Sequence, residues 1–397
     1  MERPKLRKVE RTRLRRGDEE LLVLRDPLNL SEPVALDGDF APVLDMLDGK
    51  RTLSQVRQSL LMGANLDVPE QDLAVFVGDL RKAGLLEGEH FQRLWEAEHR
   101  RFSAAPTRQA QLADLYYPAD LDEMDEVLAE ALPETDRRID ADSELLGVLC
   151  PHQPLDVAAE VLRSTLFGLP PAEAIDCVVV LGTDHNPGLL PYVLTSKDYE
   201  TPLGPVPADT RLVTDIERHV DWVRREELRH RHCASLELSA VLLRAIYGDA
   251  CPPTLFVLCG LTSLSTRDEA ATQVDEFQST LEVLLTRRRV LWWGSAELSH
   301  AGPAYGHPAL DRATAQAVED HDRDCLDSLI RGRPEQLVRR GLDDRGQGKP
   351  SGTATMATLA RLLPVGYRAE LSAYARAKPP GQDPGQIGMA GLRFFED

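Results

Sequence analysis

Gly147-Val148-Leu149-Cys150-Pro151-His152 and Val178-Val179-Val180-Leu181-Gly182-Thr183-Asp184-His185 are short apolar runs that each end in a histidine. A third run, Val290-Leu291-Trp292-Trp293, leads to Glu297 and His300. In an open α/β sheet the C-terminal ends of parallel strands share one edge, and ligands bind in the crevice there. Three such ends carrying His and Glu place imidazoles and a carboxylate around one small volume. The spacing therefore predicts that His152, His185 and His300 converge, with Glu297 at the rim.

Working outward, apolar runs at 147–150, 177–181, 254–259 and 289–293 alternate with helical stretches such as Leu155 to Leu166, Leu236 to Ile246 and about 268 to 286. Alternation of this kind predicts a βαβ architecture, an open sheet flanked by helices. Trp292 and Trp293 read as sheet packing. His219, His230, His307, His321 and Glu237 fall on predicted helices or loops, where a solvated or structurally bonded side chain is the expectation. His307 follows Tyr305-Gly306 near the third strand end and stays a minor candidate for the site.

Residues 1–95 read as a separate module. Leu21-Leu22-Val23-Leu24 and Val34-Ala35-Leu36 predict two strands, and Pro42 to Leu47 a short helix. Thr52 and Gln55 form a capping box that opens a second helix. A third helix starts near Pro69, puts Leu73, Phe76, Val77 and Leu80 on one face, and ends at Gly84 before a wing at Leu85-Leu86. The expectation is a winged-helix-like fold over 1–95, a connector at 96–115 and an α/β domain over 116–397.

Composition narrows the function classes. The formal net charge of -19 excludes a general nucleic-acid binder, because phosphate contacts need clustered Lys and Arg. Arg3, Lys5, Arg7, Lys8, Arg11, Arg13, Arg15 and Arg16 do cluster at the start, either as a basic arm for an acidic partner or as a solvated tail with one exposed strand. No apolar run approaches the roughly 20 residues of a membrane helix, and the polar N-terminus lacks a secretory core. A cytoplasmic protein is expected. The six cysteines show no CxxC pairing, so neither disulfides nor a cysteine-based zinc site is expected.

Two family resemblances follow from the motifs. Leu44-Asp45-Met46-Leu47-Asp48-Gly49-Lys50-Arg51-Thr52-Leu53 and Leu80-Arg81-Lys82-Ala83-Gly84-Leu85-Leu86 resemble the PqqD-like fold. That resemblance implies a peptide or protein partner held by strand addition. The larger domain resembles the Memo family, known in microbes as AmmeMemoRadiSam system protein B. The motifs are Tyr116-Tyr117-Pro118-Ala119-Asp120, Cys150-Pro151-His152, Leu181 to His185, Thr201-Pro202-Leu203-Gly204 with Asp209, Ser235-Leu236-Glu237, Glu297-Leu298-Ser299-His300, and Lys349-Pro350-Ser351-Gly352.

The Memo resemblance implies the extradiol dioxygenase fold and a metal site in which His152 and His185 are ligands. The implied metal is a divalent ion such as iron, copper or zinc. Ser351 stands where the family has its cysteine ligand, so the metal is expected to be held weakly. Ser351 also suits the N-cap of the next helix. Glu297 replaces an aspartate, and two roles stay open: direct ligand, or a carboxylate orienting an imidazole. With Glu297 as ligand, His300 is free as general base or as a hydrogen-bond partner of the substrate.

Asp184 replaces a serine and is expected to attract a cation or fix an imidazole tautomer. Ala234 replaces a histidine, for which His232 is the substitute. Two functions follow from this reading. One is a metal-dependent redox enzyme acting on a small or peptide-bound substrate. The other is a catalytically silent peptide-binding adaptor.

Overall fold

The computed structural model describes residues 2–16, 19–141, 143–186, 188–266, 269–343, 348, 350–379 and 384–396. Lys349, part of the last motif, lies outside them. The chain divides into two compact units, Met1–Ala104 and Ala105–Asp397.

In the first unit β1 (Glu10–Arg16), β2 (Glu19–Arg25) and β3 (Val34–Asp37) form an antiparallel sheet in that order. The helices α1 (Ala41–Met46), α2 (Leu53–Ala64), α3 (Glu70–Lys82) and α4 (Glu89–Ala104) follow. Thr52 and Gln55 exchange hydrogen bonds as a capping box, with Gln55 N–H donating to Thr52 Oγ1 and Thr52 N–H to Gln55 Oε1. Leu73, Val77 and Leu80 are the buried face of α3. Gly84 ends that helix at φ +70, a left-handed backbone that costs glycine little. The expected wing is a single bridge between Leu6 and Leu86.

Within the basic segment residues 10–16 form the expected strand, β1, exposed at residues 10–13, but one of its arginines is not solvated. Arg7 is buried, donates to both Asp26 carboxylate oxygens and to Gly84 O, and stacks 3.8 Å over Phe91. The boundary between units falls within the 96–115 stretch, whose first half continues α4.

The second unit runs through β4 (Thr107–Arg108), α5 (Leu121–Ala131), α6 (Thr135–Arg138), β5 (Leu145–Cys150), α7 (Leu155–Arg163), β6 (Cys177–Thr183), β7 (Tyr192–Leu194) and β8 (Asp198–Tyr199). It continues through α8 (Thr210–Glu217), α9 (Ala234–Tyr247), β9 (Thr254–Cys259), α10 (Glu269–Leu285), β10 (Val290–Ser295) and β11 (His300–Ala301). It ends with α11 (Arg312–Ile330), α12 (Pro334–Gly341), α13 (Thr353–Leu362), β12 (Arg368–Ala377) and β13 (Gln386–Phe395).

Its eight-stranded sheet has the order β11-β13-β5-β10-β6-β9-β7, with β12 on β13. The middle four strands, β5, β10, β6 and β9, are parallel, while β13 and β7 join antiparallel. The sheet is thus mixed and flanked by helices. Strands β6 and β9 are buried at every residue, which explains their unbroken apolar sequence. Gly182 admits Leu236 of α9 on one face, and Gly294 admits Leu359 of α13 on the other. The helices therefore sit close against the strands that carry the histidines.

All six cysteines are free and buried. Among the described residues no helix is long and apolar enough to cross a membrane.

Candidate functional site

Strands β5, β10 and β6 are neighbours and parallel, so the residues following Cys150, Ser295 and Thr183 emerge side by side at one edge. The His152 and His185 Nε2 atoms stand 2.9 Å apart. Glu297 Oε2 lies 3.7 Å from His152 Nε2 and 3.3 Å from His300 Nε2. The carboxylate is therefore at the centre of the group, not at its rim.

His152 and Glu297 are buried, His300 is half-buried and His185 is exposed. These side chains form a half-closed cluster with an open side at the exposed His185.

Each buried member is held from behind. Ser295 Oγ meets His152 Nδ1 at 3.3 Å, and Leu298 O meets His300 Nδ1 at 3.1 Å. Gln153 Nε2 donates to Glu297 Oε1, and the Tyr305 ring stands edge-on to His300 at 4.9 Å. With their Nδ1 atoms engaged, His152 and His300 turn Nε2 toward Glu297. Both nitrogens of His300 then face acceptors.

Burial would raise the Glu297 pKa, but His152, His300 and His185 hold it down to about 2. Burial also lowers the pKa of His152, with Glu297 opposing. The centre thus pairs an ionised carboxylate with a neutral imidazole.

Among the described residues no group of three or more His, Cys, Asp or Glu is arranged to hold a metal ion. His152 and His185 instead meet each other, Nε2 to Nε2, at 2.9 Å. The donor set itself, imidazole Nε2 atoms around a carboxylate and held at Nδ1, suits a divalent transition metal.

Two expectations change. Gly352, not Ser351, is the N-cap of α13, and no side chain caps that helix. Ser351 donates its N–H to Leu298 O, and Gly352 donates to Glu297 O, while the Ser351 Oγ is buried with no hydrogen-bond partner among the described residues. Asp184 is buried and bonded to Arg229, so its charge is not free for a cation or an imidazole. Burial pushes its carboxyl up to about 6 against the pull of Arg229. His232 ends a 3-10 turn and is half-buried, three residues before Ser235, whose Oγ bonds Thr183 O.

Sequence reasoning missed Gln153, Ser295, Arg229 and Tyr305. Only Gln153, directly after a strand-end histidine, carried a signal.

A second buried carboxylate lies behind the sheet. Glu237 of α9 accepts from Arg108, Tyr117 and the N–H groups of Gln111 and Leu112. The Tyr117 and Ser235-Leu236-Glu237 motifs therefore serve each other. His230 packs beside them, bonded to Tyr199 OH and Val193 O.

A family model described as "Memo-like protein" matches residues 108–375. The chain is similar to a MEMO1 family protein of Aquifex aeolicus, 23% identical over 342 residues, covering 86% of this chain and 87% of the relative. That stretch is longer than the second unit and so reaches into the first. A MEMO1 family protein of Thermus thermophilus is 26% identical over 292 residues, covering 72% of this chain and 83% of the relative.

Proposed function

We propose that this chain, which belongs to the Memo family, is a metal-dependent enzyme whose divalent ion is held by His152, His185 and Glu297. One observation carries the reading: imidazole Nε2 atoms turned onto a buried, ionised carboxylate, with His152 and His300 held at Nδ1. Such an ion, when bound, polarises a substrate oxygen or, if redox-active, exchanges electrons with it.

The remaining work falls to the chain. Glu297 supplies charge, and Gln153 fixes its second oxygen. Ser295 orients His152. His300, half-buried and beside the centre, accepts a proton from a substrate at Nε2. The exposed His185 side is the entry for a small or peptide-bound substrate.

Metal analysis of the purified full-length protein, followed by titration with Fe(II), Zn(II) and Cu(II), tests this. Stoichiometric binding that disappears in His152→Ala and Glu297→Gln is expected. Identical, negligible binding by wild type and variants would sink it.

A second reading, a peptide-binding adaptor, has its own support. The sheet β1-β2-β3 of the PqqD-like first unit has no further strand on either edge among the described residues. An unpaired edge can accept a peptide by strand addition. Saturable peptide binding by a protein that holds no metal favours it over the enzyme.

A further inference from the structure

The Thr201-Pro202-Leu203-Gly204 motif takes no part in the histidine cluster. Gly204 N–H donates to Thr201 O at 3.0 Å and Thr201 Oγ1 to Gly204 O at 2.6 Å, closing a tight turn. Gly204 has φ +108, and a Cβ there would lie 2.8 Å from the Arg244 Nη2. The turn therefore needs glycine both for its backbone and for the guanidinium against it. Arg244 Nε donates to Leu203 O, Nη1 to Gly248 O, and Nη2 pairs with Asp249. Every arm of Arg244 is committed, so the motif builds a fixed wall.

That wall bounds a cavity of about 400 Å³ between α5, the end of α6 and the end of α9. The volume suits a small molecule. Leu128, Leu132 and Leu203 supply apolar lining. Of the four charged residues lining the cavity, Arg244 and Asp249 pair with each other, and among the described residues Arg138 and Asp125 form no ion pair.

Arg138 donates Nε to Pro133 O at 2.8 Å, and among the described residues no hydrogen bond engages its terminal nitrogens. It is half-buried, and burial lowers its pKa with no acid in compensation. Asp125 stands exposed on α5. A guanidinium and a carboxylate share one cavity without reaching each other, over an aliphatic floor. The missing partner for both is a molecule carrying each opposite charge.

We propose that this cavity binds a free aliphatic α-amino acid, its carboxylate on Arg138 and its ammonium on Asp125. The planar guanidinium fork matches a carboxylate, and the leucine floor receives the side chain.

Calorimetric titration of the full-length protein with L-leucine, 4-methylpentanoate and 3-methylbutylamine tests the assignment. Leucine should bind saturably, and each fragment about tenfold more weakly, because each lacks one charge-assisted contact. Arg138→Gln should weaken leucine about tenfold while sparing the amine, and Asp125→Asn should spare the carboxylate. Glu297→Gln should leave leucine binding intact, so this result stands apart from the metal reading. Absence of saturable leucine binding, a fragment that binds as well as leucine, or affinity unchanged in Arg138→Gln overturns the proposal.

Discussion

Glu237 and Glu297 are both fully buried, and their surroundings are opposites. Glu237 faces a guanidinium, a phenol and two backbone N–H groups, so its charge is balanced inside the fold. Glu297 faces imidazoles and one amide, none of which is a permanent cation. A buried charge with a dedicated counter-charge holds structure. One surrounded by titratable, metal-capable groups leaves room for a ligand that arrives later.

The sharpest break of this contrast is mutational. Glu237→Ala leaves Arg108 buried without its partner, and a loss of about 3–5 kcal/mol in urea unfolding is expected. Glu297→Gln, measured without metal, should cost less, because glutamine keeps the shape and leaves no permanent cation unpaired. Equal losses would erase the distinction between the two sites.

Metal sharpens it next. Zn(II) at about a hundred times its dissociation constant should stabilise wild type by about 2.7 kcal/mol in a thermal melt. The gain should vanish in Glu297→Gln, and Ser351→Cys should enlarge it by adding a thiolate. A gain retained in Glu297→Gln would move the ion elsewhere.

Acid acts on the structural side through His230. Its pKa falls from 6.5 to about 3, chiefly by burial. The unfolded chain therefore binds the proton more readily, and the stability this histidine contributes above pH 6.5 is lost as pH falls toward 3. His230→Gln should lower the acid-unfolding midpoint by roughly half a pH unit. An unchanged midpoint would remove His230 from the acid response.

The smallest effect belongs to Ser351. Its hydroxyl is buried and unbonded among the described residues, so Ser351→Ala should change stability by less than about 0.5 kcal/mol, or improve it. A loss above about 1 kcal/mol would reveal a contact that holds the Glu297 turn.

Much of the fold was legible because burial on both faces writes itself as unbroken apolar runs, as in Cys177–Thr183 and Thr254–Cys259. The capping box at Thr52 and the α3 face were legible because their partners lie within one or two turns. The convergence of His152, His185 and His300 followed from their places after strands.

The supports were hidden because they join distant segments: Gln153 to Glu297, Ser295 to His152, Arg229 to Asp184. Nothing local marks such pairs. Arg7 misled for a related reason. A count of charges does not distinguish a solvated guanidinium from one buried against Asp26.

The position of β10 between β5 and β6 also governs how the domain is born. Consecutive strands usually pair, yet β5 takes both its neighbours, β10 and β13, from residues 290–295 and 386–395. A growing chain on the ribosome holds β5 and β6 long before the strand that belongs between them exists. High contact order of this kind slows folding and leaves strand edges open to aggregation meanwhile. The insertion that gathers the imidazoles is therefore also a late step, and shortening the chain ahead of β13 leaves β5 with a bare edge.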